Sequence, residues 1–211
     1  MEYLELSPKQ VISYFKSDNE VGIGRFGILY ELDYDTLIKL NYTEYISAFI
    51  SKKEKDFKRE IDTSIELMNY DCDFDRDKRI EELIRRLNNT SSNDLIKGII
   101  TNRGYRIGFL LTYYRDFNVL GDRIYNYPVQ VRKELLKKVR EKIFELFSVG
   151  IYPLDIKEDN VLLNENMDIK IIDLDGYDVR IEDEEYIKTH DYIKRESETR
   201  LIEMEYRLLR H

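Results

Sequence analysis

The glycines of Gly22-Ile23-Gly24-Arg25-Phe26-Gly27 constrain the fold more than any other feature, because they lie inside a strand pattern. From Val21 to Leu40 apolar residues tend to alternate: Ile28, Tyr30 and Leu32, then Leu37 and Lys39 on either side of Ile38. Asp33-Tyr34-Asp35 reads as a turn within that run. A glycine loop of this spelling that binds a dinucleotide must open directly into a helix. Here it opens into a strand. The pattern therefore predicts a run of antiparallel strands with the glycines between the first two, where backbone bare of side chains can approach a phosphate closely.

The rest of the chain alternates helical and extended patterns. Ser7-Pro8 before Val11, Ile12 and Phe15 predicts a short helix, with serine as cap and proline at its first position. Residues 51–69 carry one apolar stripe at helical spacing, Phe57, Ile61, Ile65 and Met68, with Glu60 beside it. Residues 71–97 read as an insertion: an acidic start, a helix with Ile80, Leu83, Ile84 and Leu87 on one face, and a mobile polar loop from Asn88 to Asp94. Gly104 to Tyr114 reads as a strand running into a connection. From Val129 to Val149 a long helix is marked by Val131, Leu135, Leu136, Val139, Ile143, Phe144 and Phe147, and Gly150 ends it. The polar loop Asp155-Ile156-Lys157-Glu158-Asp159-Asn160 then leads to a hairpin, Val161-Leu162-Leu163 and Ile169-Lys170-Ile171-Ile172 about a turn at Asn164-Glu165-Asn166, which delivers Asp173. Asp178 to His211 is charged and helical in character, with Leu201, Met204 and Leu208 on one face.

Composition excludes several function classes. No apolar run among the 211 residues approaches bilayer length, and Met1 to Leu6 is acidic rather than basic, which argues against membrane insertion and a secretory leader. Cys72 is the single cysteine, so an intramolecular disulfide and a cysteine-rich metal site are ruled out, and a reducing cytosol is expected. A net charge of −8 argues against broad nucleic-acid binding, and Lys137-Lys138-Val139-Arg140 reads as a solvated helix face. Asp71, Asp73, Asp75, Asp77 and Glu82 mimic the spacing of a calcium loop, but Arg76 stands where glycine is needed. They read better as acids at the positive end of the following helix. His190 and His211 have no partner cluster in the sequence and read as surface residues.

In their order and spacing, the glycine loop, Lys39, Glu60, the Asp155 to Asn160 loop and Asp173 resemble the protein-kinase superfamily, from Val21 to Gly176. The resemblance implies an α+β, bilobal protein-kinase-like fold in one domain spanning 1–211. A small antiparallel N-lobe with one main helix would cover about 1–112, a hinge about 112–117, and a truncated helical C-lobe about 118–211. It implies that Gly22, Gly24 and Gly27 cradle the phosphates of ATP, and that Lys39 neutralises them while pairing with Glu60. Glu54 and Glu66 are alternatives for that last role. Leu111 would back the adenine pocket, and backbone near Tyr113 and Tyr114 would bind the adenine edge. Asp155 would take or orient the proton of the attacking hydroxyl, Lys157 would stabilise the transferred phosphoryl group, and Asn160 and Asp173 would hold Mg2+.

The lysine two residues after Asp155 is similar to the serine/threonine pattern of that superfamily. The departures are informative too. Pro153-Leu154 replaces the His-Arg that precedes the aspartate, which implies no switching by phosphorylation of an activation loop. Asp173-Leu174-Asp175 keeps a metal ligand but lacks the usual glycine, and no Ala-Pro-Glu segment follows Gly176. In that truncation the chain is similar to compact bacterial effector kinases and, more distantly, to Rio kinases. The function implied is an ATP- and Mg2+-dependent protein serine/threonine kinase acting on a folded protein docked outside the usual peptide groove. A host-directed effector and a housekeeping cytosolic enzyme read identically here. Asp173-x-Asp175 also resembles aminoglycoside and choline kinases, and a pseudokinase or binding module is the alternative from a different class.

Overall fold

Serine and proline at positions 7 and 8 start the first helix as their chemistry demands. In the computed structural model, which describes residues 2–15, 17–24, 27–41, 74–102, 105–174 and 184–210, helix α1 spans Pro8–Phe15. Ser7 Oγ accepts from the Gln10 amide at 3.4 Å, and Gln10 Oε1 accepts from the Ser7 amide at 2.9 Å, which is a capping box. The predicted helix over 51–69, with Glu54, Glu60 and Glu66, lies outside the described residues, as do Arg25, Phe26, Cys72, Gly104, Gly176 and His211.

The strands are β1 (Glu2–Glu5), β2 (Glu20–Gly24), β3 (Gly27–Glu31), β4 (Thr36–Asn41), β5 (Ile96–Asn102), β6 (Tyr105–Thr112), β7 (Phe117–Val119), β8 (Val161–Asn164) and β9 (Ile169–Ile171). The other helices are α2 (Phe74–Leu87), α3 (Leu120–Arg123), α4 (Val129–Ser148) and α5 (Glu184–Arg210). The class is α+β, as expected. A six-stranded sheet has the order β1-β5-β6-β4-β3-β2, and a three-stranded sheet has the order β7-β8-β9. The larger sheet is mixed rather than purely antiparallel, because β1 runs parallel to β5. The sequence reading placed no strand at Glu2–Glu5 or Phe117–Val119 and took the start of β5 into the insertion. The first two are short, and too few residues alternate in them to register as a period.

The chain divides into two compact units, one from Met1–Asp77 with Leu95–Tyr113 and the other from Lys78–Asp94 with Tyr114–His211. In the first, one sheet face packs on α1. Ile28, Tyr30, Ile38, Leu40, Ile100 and Leu110 form a core with Leu6 and Val11, and the rings of Tyr14 and Tyr30 lie 5.6 Å apart. Two glycines make this packing possible. A Cβ on Gly98 would overlap the carbonyl of Glu2, and one on Gly108 would overlap the carbonyl of Lys39.

In the second unit, Leu135, Leu136, Val139, Ile143 and Leu146 of α4 are buried, together with Leu201, Met204 and Leu208 of α5, on the face read from the sequence. Phe144 departs from that reading and is 45% exposed, its ring flanked by Phe147 and the Arg140 guanidinium. The basic cluster is only partly a solvated face. Lys138 Nζ donates to the Met167 carbonyl at 2.8 Å and Arg140 pairs with Glu205, while Lys137 faces Glu141 at 3.8 Å. The Asn88 to Asp94 loop, expected to be mobile, has partners along its length: Thr90 and Ser92 are buried, Ser91 is held by Glu145, and Asp94 pairs with Lys170 at 2.9 Å. Because α2 begins at Phe74, Asp75 and Asp77 lie in its opening turn rather than in a calcium loop.

Helix α4 ends on a Schellman motif. The amide of Gly150 donates to the Phe147 carbonyl and that of Ile151 to the Leu146 carbonyl, both at 3.0 Å, with Gly150 at φ 73°. Arg86 of α2 seals this end, Nη1 donating to the Gly150 carbonyl at 2.9 Å while Nε donates to Glu82 at 2.7 Å. A Cβ on Gly150 would collide with that guanidinium. Gly150→Ala is therefore expected to lower unfolding free energy by about 1–2 kcal/mol, combining left-handed strain with displacement of Arg86, as read by urea denaturation.

Hydrogen bonding from Arg85 is the largest influence on Glu82. With help from Arg86 it overcomes the effect of burial and brings the carboxyl from 4.5 down to about 2. A depressed folded-state value contributes stability above the unfolded value and loses it as pH falls through the folded one. Between about pH 5 and about pH 2 the parent should therefore lose more stability than Glu82→Gln, measured by denaturation at each pH.

Candidate functional site

The loop after α4 alternates anchors with exposed polar groups. Ile151, Pro153 and Ile156 are buried, whereas Leu154 and Asp155 face solvent. The Asp155 carboxylate is held from two sides: Lys157 Nζ donates to Oδ2 at 2.7 Å, and Asn160 Nδ2 donates to the same oxygen at 3.1 Å. Asn160 Nδ2 also donates to the Asp155 carbonyl at 2.9 Å, and Asn160 itself is buried. A single 3-10 turn, Glu158–Asn160, brings this about, with the Asn160 amide donating to the Lys157 carbonyl at 3.0 Å.

The same asparagine secures the second aspartate. The Ile172 amide donates to the Asn160 carbonyl at 3.0 Å, so Asp173 leaves β9 directly beside the loop. Asp173 adopts φ 63°, a left-handed conformation that aspartate tolerates better than most residues and that accumulates at functional positions. Leu174 behind it is 1% exposed and anchors the turn. Hydrogen bonding to Asp155 holds the Lys157 ammonium above its ordinary 10.5 against the opposing effect of burial. The charges of Asp155, Asp159 and Asp173 add to the rise.

Asn160 and Asp173 fit a hard cation. With Nδ2 committed to Asp155, the Asn160 Oδ1 is the amide atom left to face a metal, and the Asp173 carboxylate follows in the chain. Among the described residues no three His, Cys, Asp or Glu side chains gather to hold a metal by themselves. Two protein oxygens are, however, what Mg2+ takes when phosphates and waters complete its octahedron.

The first unit holds the other candidates. Gly22 pairs with Leu29 and Gly24 with Gly27 across the β2–β3 hairpin, with a bulge between Glu20 and Gly22. A Cβ on Gly22 would meet only Leu29 Cδ1 at an ordinary 3.9 Å, so packing among the described residues does not require glycine there. Lys39 lies on the central strand β4, between Leu29 and Phe109 in register, and is 8% exposed. Lysine is among the residues least often so buried. Leu111 is half-buried on β6. The Tyr113 amide donates to the Asp35 carbonyl at 2.9 Å.

Sequence reasoning missed the clasp around that carbonyl. Lys97 Nζ donates to it and to Thr36 Oγ1, both at 2.9 Å, and its hydrogen bond to the Asp35 carboxyl is the main cause of a value lowered to about 2. Tyr114 belongs to the second unit, its ring 5.4 Å from Phe117 with the Lys170 ammonium 5.0 Å above it. Also missed was Gly121 of α3, where a Cβ would meet Glu158 Cγ at 3.1 Å and Asp159 Oδ1 at 3.2 Å.

The structure thus brings Asp155, Lys157, Asn160 and Asp173 together in one unit and sets Lys39 and the three glycines in the other, while Glu60 lies outside the described residues. No helix among the described residues is long and apolar enough to cross a membrane. The chain matches no protein-family model, and no curated protein sequence matches it at a significant level.

In an Asp155→Asn variant the Lys157 ammonium is expected to titrate lower than in the parent, read by NMR at Nζ. An unchanged titration would show that the Asp155 hydrogen bond does not control it.

Proposed function

We propose that the protein is an ATP- and Mg2+-dependent protein serine/threonine kinase with a bilobal protein-kinase-like fold. One observation carries the reading: Asp155 is gripped by Lys157 and Asn160, and Asn160 also secures the chain entering Asp173. Catalysis of phosphoryl transfer is mostly positioning and charge neutralisation, and a carboxylate, an ammonium group, a buried amide and a second carboxylate within one loop and its neighbour support that reading. Three consecutive antiparallel strands support it, with the glycines on the first two, around their turn, and a buried lysine on the third. So does Gly22, whose bare backbone answers no packing demand among the described residues.

In this reading Gly22, Gly24 and Gly27 bring backbone close to the phosphates, and Lys39 neutralises them. Asp155 orients the attacking hydroxyl and receives its proton, and Lys157 offsets charge on the moving phosphoryl group. Asn160 and Asp173 hold Mg2+, which supplies neutralisation of the phosphate oxygens when bound. The acceptor in this reading is a serine or threonine of a folded protein docked away from the usual peptide groove.

Intact-mass analysis of the protein with Mg2+-ATP and a panel of acceptor proteins tests this. Gains of one phosphate mass are expected, with the rate falling at least about 100-fold in Asp173→Ala. Nucleotide binding without transfer to any protein, itself included, would overturn the proposal.

A further inference from the structure

We infer that Arg207 of α5 is a positioning residue for the Asp155 loop, acting through Glu158. The inference rests on the functional reading above and goes beyond it, since no motif in the loop points to the end of the chain. Arg207 Nη2 donates to Glu158 Oε2 at 2.7 Å, and Glu158 opens the 3-10 turn that carries Asn160 onto Asp155.

The anchor is itself rigidly held. The stripe Ser197, Leu201, Met204 and Leu208 buries one face of α5, Arg140 of α4 grips Glu205, and Arg132 Nη1 donates to the Leu208 carbonyl at 2.9 Å. These bonds flank Arg207 on both sides in sequence. A second tie lies nearly three turns earlier on α5, where buried Ser197 Oγ donates to the Pro153 carbonyl. The two ties reach the loop on either side of Asp155. Both sides of Asp155 are thus referenced to α5.

A half-exposed ion pair adds little to global stability, so its removal separates positioning from folding. Arg207→Ala is expected to lower kcat for phosphoryl transfer about 10- to 100-fold, with KM for ATP within about twofold and the melting temperature within about 3 °C. Arg207→Lys, which can still donate to Glu158, should recover part of kcat. Hydrogen exchange is followed in the same variants at the Asn160 and Ile172 amides, both bonded within this loop, and should be at least about 10-fold faster in Arg207→Ala. Unchanged kcat, or a loss matched by a fall in melting temperature that lysine does not recover, would overturn the inference. If the parent protein transfers no phosphate, the functional reading fails by itself; unchanged exchange at both amides in Arg207→Ala would then overturn the positioning role, and faster exchange would sustain it.

Discussion

Asn160 makes the hydrogen bonds on which the candidate site depends. Its side chain holds the backbone and carboxylate of Asp155, its amide closes the 3-10 turn on Lys157, and its carbonyl receives the amide of Ile172. A buried amide in such a place must satisfy both ends of its side chain, because an unpaired polar atom away from water costs about 1–3 kcal/mol. Committing Nδ2 to Asp155 orients a carboxylate that would otherwise rotate in solvent.

The surroundings of that residue are built to keep it there. Gly121 lets α3 lie close to Glu158 and Asp159, where a Cβ would crowd both side chains. On the far side Leu174 and Ile172 follow the strand β9, and the hairpin from which they come turns at Met167, whose carbonyl is held by Lys138 of α4. The left-handed backbone at Asp173 is tolerable only because residues on both sides are fixed, Ile172 by Asn160 and Leu174 by burial. Order in the loop thus comes from its own hydrogen bonds and buried residues together with contacts from α3 and α5.

Much of this was legible in the sequence where the signal is local. The serine and proline at the start of α1, the glycine after α4, the apolar faces of α2 and α5 and the turn at Asp33 to Asp35 each act within a few residues of themselves. Backbone sterics and short hydrogen bonds define them, so a one-dimensional pattern suffices. What escaped was non-local or short. Strand β1 owes its place to Gly98, nearly the whole first unit away in sequence, and β7 is only three residues long. The Asn88 to Asp94 loop looked mobile by composition, yet its polar side chains find partners on α4 and β9. Phe144 looked like core by spacing and instead lies exposed beside Arg140, because α4 is covered over a narrower arc than its apolar residues span.

By itself the sequence determined the make-up of the candidate set: the glycines in a strand setting, Lys39, and Asp155, Lys157, Asn160 and Asp173, whose types and spacing are written in the chain. Only the tertiary structure decided how that set is held, with Asn160 donating to Asp155, Asp173 forced into a left-handed turn, and Arg207 and Ser197 of the last helix tied to either side of the loop. The reason is physical. Residue type and local period are properties of the chain, whereas a hydrogen bond between distant segments exists only once burial of apolar faces on α4 and α5 has brought their backbones together.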